Sequence, residues 1–377
     1  MKKCAKLNKE IKGSSRFSEI THMKKNMLLI VKGILLLAGA ALLYVAGAIV
    51  YAQITDYKPA AEEAAEVLAP SSALPAIDKD TLVFYNWNIG YCGLGKESDF
   101  FYDGGKMVRP TKEWSLKNLA GVKQTIGAWK ADADFIHIQE IDKKSKRSYS
   151  ENQLQQVFDL LGNYKAVFGK NYDVNFVPIP FTEPMGKVLG GIATFYKYQD
   201  AETPVKYAFP SNFSWPKSLF FLDRCFVKHR FNLKNGRQLV VINTHNSAYD
   251  GGTLKKQEMA YFKQYIVSEY EKGNYVVVGG DWNQIPPGYT PLDKNSDYEE
   301  MPVPADFIEP GWQFAYDPKV PTNRKVDTPY EKGKTYTTII DFFLLSPNIE
   351  LLQVEGQDMD FEFSDHQPVR MVCRLKE

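Results

Sequence analysis

The sequence predicts an α+β fold, a sandwich of mixed sheets with helices on the outside. Between residues 81 and 377 strand-like runs outnumber helix-like ones, so most strands must find strand partners instead of alternating with helices. Two of them are joined by the tight turn "NLKNGRQ" (232–238), too short for a crossover helix and suited to an antiparallel hairpin. A purely parallel, doubly wound sheet fits worse. Apolar residues make up 44% and aromatic residues 14% of the 377, ample for a buried core, which excludes a disordered chain.

The elements follow from periodicity. "TLVFYNWNI" (81–89) is an apolar, aromatic strand, and it sets the expected start of the folded domain near Thr81. Leu116, Leu119, Val122, Ile126 and Trp129 recur at steps of three or four, which predicts an amphipathic helix over 111–130. "DFIHIQE" (134–140) is the next strand, and a helix at 152–161 ends at Gly162. Strands are expected near 164–168, 190–196, 225–233 and 238–244. A helix at 254–271 stops at Gly273, and strand 275–280 follows. "TTIIDFFLLS" (337–346) and "PVRMVCRL" (368–375) are the last strands, and no internal repeat is visible.

The N-terminal part differs in composition. Residues 1–32 carry nine Lys/Arg against Glu10 and Glu19, a balance of +7, whereas residues 81–377 carry 35 basic and 37 acidic side chains, a balance of −2. The formal charge of +1 for the whole chain conceals this asymmetry. Gly33 to Ala52 contains no charge, and about twenty residues at about 1.5 Å each suffice to cross a hydrocarbon core of about 30 Å. The expected organisation is a basic cytoplasmic tail (1–32), a transmembrane signal anchor (33–52), a linker rich in Ala, Pro and acid (53–80) and a domain at 81–377. The positive-inside rule then puts that domain on the extracytoplasmic side of the membrane. A cleaved signal peptide with "AGA" (46–48) as its site is the alternative, but the apolar run exceeds the usual h-region of about 7–15 residues. Cys4 precedes the span. Cys92, Cys225 and Cys373 match no zinc spacing, and they can be three buried thiols or one disulfide with a thiol left over.

The chemistry collects at strand ends. "VVVGGDWNQIP" (276–286) closes an apolar strand with two glycines, then offers Asp281 and Asn283 two positions apart. Alternation in an extended chain can point both at one target, an acid beside an amide suits water activation or metal binding, and the glycines allow close backbone approach to phosphate. Alone, the motif also reads as a strand ending in an Asp/Asn-rich turn. Other strands finish in the same kinds of group: Asn86 and Asn88, Glu140, His245, Asp341, and the Asp365-His366 pair that opens the last strand. Six such endings, drawing only on Asn, Glu, Asp and His, are hard to explain as turns.

The ordered series "WNIG", "IHIQE", "NTH", "GGDWN", "IIDFFLLS" and "SDHQPV" resembles the endonuclease/exonuclease/phosphatase superfamily, the DNase I-like fold, from about residue 81 to the C-terminus. Each motif is weak individually and the series is specific. The resemblance implies a four-layered α/β/β/α sandwich of two mixed, mainly antiparallel sheets with the site at one edge. It implies that Glu140 binds a divalent cation, Mg²⁺ with Mn²⁺ possible, assisted by Asn88 and Asp365. Asp281 would orient and deprotonate the attacking water, with Asn283 positioning Asp281 or a phosphate oxygen. His366 would hydrogen-bond the phosphoryl group with Asp341 fixing its tautomer, and His245 would supply a second positive donor. Arg224 falls where many members carry an arginine near the phosphate, and a plain salt bridge is the competing reading. His137, inside a strand and alternating away from Glu140's side, reads as structural, His229 as a solvated or packed residue, and His22 as part of the tail. The implied reaction is in-line attack of water on phosphorus without a covalent enzyme intermediate.

The substrate is less determined, because relatives cleave DNA, RNA, sphingomyelin, inositol phosphates and nucleotides. A domain of charge −2 lacks the Lys/Arg excess that sequence-independent DNA binding uses. An anchor would hold the site near a bilayer, and the aromatic segments "SDFFYDGG" (98–105) and "FPSNFSWPKSLFF" (209–221) can dip into an interface or pack on the domain's own core. Together these favour lipid head groups, such as sphingomyelin-like diesters, over nucleic acid. An extracytoplasmic nuclease is the runner-up, and a phospholigand-binding module without turnover is a third reading. Nothing in the sequence points to a protein partner.

Overall fold

The computed structural model describes residues 2–210, 213–248, 252–291 and 301–377, with side chains from His22 onward, so Cys4, Ser211 and Asn212 fall outside its side-chain detail. The chain divides into two compact units, Met1–Ile54 and Thr55–Glu377. The first is a helix, α1 (Lys2–Thr55), which contains the expected span 33–52. Its stretch His22–Thr55, with a mean hydropathy of 2.4 in its most apolar window, is long and apolar enough to cross a membrane.

The second unit starts earlier than the composition suggested. β1 (Glu62–Ala64) and β2 (Glu66–Leu68) lie within the segment read as a linker with at most a helical turn. Ala65, between them, is buried in the core that the two sheets share. Glu63 pairs with Lys206 at 2.7 Å and Glu66 with Lys143 at 2.6 Å, so the acids that looked like tether composition are the outward charges of two short edge strands. Partners far along the chain decide such strands, and no local pattern announces them.

β3 (Thr81–Asn88), α2 (Lys112–Trp129), β4 (Phe135–Asp142), α3 (Gln153–Leu161), β5 (Lys165–Val177) and β6 (Gly186–Tyr196) follow. Next come β7 (Val205–Ala208), β8 (Cys225–Asn232), β9 (Gln238–His245), α4 (Thr253–Glu271) and β10 (Tyr275–Asp281). The C-terminal part holds β11 (Gln313–Ala315), β12 (Asn323–Arg324), β13 (Thr337–Thr338), β14 (Asp341–Leu345), β15 (Ile349–Gly356) and β16 (Val369–Leu375). Thr111 caps α2 by accepting from Trp114 N at 3.2 Å, and Asn152 caps α3 in the same way. Besides β1 and β2, the elements with no counterpart among the expected ones are β7, β11, β12 and β15.

One sheet runs β15-β16-β3-β4-β6-β5-β2 and the other β1-β7-β8-β9-β10-β14-β11. Among the described strands, β3 with β4 and β9 with β10 pair in parallel and the remaining sheet pairs are antiparallel. Phe84, Phe135, Phe231, Val241, Val277, Phe343 and Met371 fill the space between the sheets. Val276 and Val278 point the other way, with Phe262 and Ile266 of α4, while Ile136 and Ile138 pack against Leu119, Val122 and Ile126 of α2. Helix, sheet, sheet, helix is therefore the layer order, the expected four-layered α+β sandwich.

The inner layer also holds polar groups. His137 and His229 are fully buried, and burial pushes both imidazoles down, His137 to about 3, so they are neutral packing residues, as the position of His137 inside a strand suggested. Asn86, one of the polar strand-end residues, lies inside as well, accepting from Gln139 Nε2 at 2.9 Å while that same nitrogen donates to Asn243 Oδ1 at 2.7 Å. Gln139 thereby ties the two sheets together. Cys92, Cys225 and Cys373 are buried free thiols.

Candidate active site

Register brings the catalytic candidates together. Across neighbouring strands β8, β9, β10 and β14, Cys225 lies opposite His245, His245 opposite Asp281, and Asp281 opposite Asp341. Arg224 is one residue before this row. In the other sheet Asn88 lies opposite Gln139, and Glu140 comes next, at φ 52° where the β4–β6 register shifts between Ile138 and Ile141. Such a bulge re-aims one side chain, here a carboxylate, out of the ladder at the edge of the sandwich.

Asp281 is the hub. Its Oδ2 accepts from Asn88 Nδ2 at 2.9 Å and lies 3.5 Å from His245 Nε2 and 3.9 Å from His366 Nε2. Its Oδ1 accepts from the backbone N–H of Asn283 at 2.9 Å. The strand has ended by then: Asn283 is at φ 50° and its side chain donates to Asn246 O at 2.9 Å. Alternation along an extended chain therefore does not bring Asp281 and Asn283 together; a turn does. The two glycines also serve another end than expected. A Cβ on Gly280 would lie 2.1 Å from Thr244 O, and one on Gly279 would lie 2.5 Å from the Phe343 ring and 2.7 Å from His137 Nδ1. They permit close packing within the sandwich, not approach to phosphate.

His366 Nδ1 and Asp341 Oδ2 are 2.7 Å apart, and Trp87 Nε1 donates to the His366 carbonyl at 2.9 Å. Burial alone would lower the imidazole, but the carboxylates of Asp341 and Asp365 outweigh it and hold His366 up at about 10. Asp341, buried beside it, is pushed up, and the proton of the pair resides on the imidazole. His245 behaves oppositely. Burial, then the charges of Arg224 and His366, drive it well below its ordinary value, and its Nε2 faces the Arg224 guanidinium. It is therefore neutral and not the positive donor expected, and among the described residues the charge beside it is the Arg224 guanidinium, which faces this imidazole.

Two neighbours carried no signal in the sequence. Thr322 Oγ1 accepts from the backbone N–H groups of Ile340 and Asp341, both at 3.0 Å, and Asn323 Nδ2 lies 3.1 Å from His366 Nε2. Their segment "PTNRK" has no apolar run to mark it, and its pairing with β13 and its bridge to His366 deliver it to the site. Hydrogen-bond capacity at a strand end was the usable sign, and here the strand is two residues long.

The acids fit a hard cation. Asn88 Nδ2 is 3.4 Å from Glu140 Oε1, and a Cβ on Gly90 would lie 2.6 Å from Asp365 Oδ1, so a glycine keeps the space beside that carboxylate clear. Burial, with the charge of Glu140 adding to it, pushes Asp365 up to about 7 against the opposing charges of His366 and Arg324. Asp281, Asp341 and His366 also place one ligand atom each within 4.8 Å of one another, but the hydrogen bond between His366 and Asp341 commits that pair to itself. Glu140 and Asp365, with the Asn88 amide, are the better-suited oxygen donors.

A family model described as the endonuclease/exonuclease/phosphatase family matches residues 85–366, most of the chain and every residue of this site. The chain belongs to the endonuclease/exonuclease/phosphatase family. Membership makes it a hydrolase of phosphoric esters, in a family that is generally metal-dependent. Solved structures agree on the fold. A family member from Beutenbergia cavernae is 16% identical, with 79% of this chain and 72% of that one covered and a TM-score of 0.55. One from Bacteroides vulgatus is 17% identical, with 79% and 100% covered and a TM-score of 0.50. ANGEL2, a 2′,3′-cyclic phosphatase solved with adenosine-2′,3′-vanadate, is 15% identical, with 83% and 99% covered and a TM-score of 0.51. No curated protein matches the sequence.

Proposed function

We propose that this chain is a membrane-associated, Mg²⁺-dependent phosphodiesterase or phosphatase that acts on lipid head groups. The observation that carries the chemistry is the convergence of Asn88, His245 and His366 on one oxygen of Asp281, with Glu140 beside them. Glu140, Asn88 and Asp365 would hold Mg²⁺ or Mn²⁺, which supplies neutralisation of the charge developing on the leaving oxygen. Asp281, fixed by the Asn283 N–H, orients water and takes its proton. Protonated His366, held by Asp341, donates to a phosphoryl oxygen, and Arg224 with neutral His245 flanks the same group.

The lipid reading rests on two features. The part of the chain that holds the site is close to neutral, and a helix long and apolar enough to cross a membrane precedes it in the same chain with six residues between α1 and β1. An anchor of that kind raises the effective concentration of bilayer substrates. The test is hydrolysis of bis-(p-nitrophenyl) phosphate with and without EDTA, then plasmid DNA and phospholipid vesicles offered side by side. Turnover that EDTA abolishes, together with preference for vesicles, is the expected result. Undiminished turnover by Asp281→Ala refutes the catalytic roles, and preference for DNA refutes the lipid assignment.

A further inference from the structure

We infer that the cleft beside Asp281 contains an ester-group subsite, which seats an apolar acyl or alkyl substituent carried by the phosphate under attack. The inference rests on the reaction centre described above and extends it to the part of the substrate that does not react. One cavity of about 110 Å³ is lined by Glu140, Asp281, Asp365 and His366. Leu94, Phe100, Tyr102, Phe221, Leu222 and Val326 line the same cavity. Phe100 and Tyr102 meet at 5.4 Å and Tyr102 and Phe221 at 5.6 Å between ring centroids, so the wall is a continuous apolar surface. A group bonded to phosphorus and directed away from the acids has this wall to lie on.

Four polar side chains that line the cavity, Arg147, Arg324, Lys325 and Tyr172, are already committed. Arg147 is held by both oxygens of Asp142, at 3.0 and 3.2 Å, and stacks 3.8 Å from the Tyr91 ring centre. Both terminal nitrogens of Arg324 donate to backbone carbonyls, among them Gly95 O at 2.9 Å and Ser98 O at 3.0 Å. Lys325 pairs with Asp327 at 2.9 Å, and the Tyr172 hydroxyl donates to Phe220 O at 2.9 Å. Side chains so committed are poorly placed to read the polar edges of a nucleobase, whose desolvated groups they would leave unmatched. A hydrocarbon chain requires no such partners and gains from leaving water. Within the aromatic segment 98–105, Phe100, 9% exposed, and Tyr102 line the cleft.

The experiment uses the full chain in lipid nanodiscs with methyl, butyl and hexyl p-nitrophenyl phosphate and the p-nitrophenyl ester of thymidine 5′-phosphate. In each, the water oxygen bonds to phosphorus as the bond to p-nitrophenolate breaks, and one water proton is released through Asp281. Wild type should show kcat/KM for the hexyl ester at least about tenfold above the methyl ester, since each buried methylene is worth about fourfold. Leu222→Ser and Phe221→Ala should bring that ratio towards one, while Leu116→Ser, on the exposed side of α2, should keep the wild-type ratio and so control for partition into lipid. A flat alkyl series in wild type, a ratio unchanged in both wall variants, or a thymidine ester that outperforms the hexyl ester overturns the subsite. Absence of turnover of every ester, the methyl one included, overturns the proposed function itself.

Discussion

Asp281 accepts from Asn88 on one oxygen and from the Asn283 backbone on the other, and a change of its carboxylate to an amide keeps the side chain's shape and one of the two acceptors. Asp281→Asn should therefore fold normally and lose about 10²–10⁴ in kcat, the usual weight of a positioned base, as read from bis-(p-nitrophenyl) phosphate turnover beside a thermal melt. Asp365 gives a second expectation. With its carboxyl at about 7 in the cation-free protein, a cation must displace a proton below that pH. Mg²⁺ affinity measured by calorimetry should weaken by about tenfold per unit as pH falls below 7, level off above it, and lose this dependence in Asp365→Asn. His366 sets the opposite limb. Asp341 keeps the imidazole protonated up to about 10, so Asp341→Asn lowers that value and the alkaline fall of kcat/KM should begin at least one pH unit earlier. These residues were legible in the sequence because each follows or opens an apolar run. The protonation state of His245 was not, since it depends on Arg224 arriving from a strand next to its own.

At the level of elements, the run 337–346 shows why a site residue can be found while its geometry is missed. Its apolar pattern reads as one strand, yet the structure breaks it into β13 and β14, with Ile339 and Ile340 between. The cause is Thr322. Its hydroxyl takes the N–H groups of Ile340 and Asp341, which leaves Thr338 to pair with β12 and turns Asp341 towards His366. Thr322→Val is nearly isosteric and leaves those two buried donors without an acceptor. It should cost about 1–3 kcal/mol per orphaned group in urea melts and lower kcat through the displaced dyad, and Thr322→Ser should restore both. Glu140 follows the same logic: "FIHIQE" marks the strand, and only the bulge against β6 reveals where its last acid points.

For the molecule as a whole, patterning conveyed the sandwich because buried runs such as "VVV" in β10 must be covered on both faces, which two sheets and an outer helix achieve. It did not convey where the sandwich begins. Residues 53–80 have tether composition, yet Tyr57, Glu63 and Ala65 complete the edge of the second unit. The Lys206 ammonium, in a residue only 1% exposed, lies 2.7 Å from Glu63, 2.8 Å from the Tyr57 hydroxyl and 2.9 Å from Lys170 O. A chain cut to start at Thr81 removes two of those three partners, both edge strands and the buried Ile77 side chain. Stranding a buried ammonium costs several kcal/mol, so the shortened chain should melt at least about 5 °C below one that starts at Thr55. Lys206→Met separates the causes, because it removes the stranded charge while keeping the side chain's length. It should recover part of the loss in the chain starting at Thr81 and destabilise the chain starting at Thr55, where Glu63 would be left without its ammonium. Equal melting of the two starting points would mean that residues 55–80 are a tether after all.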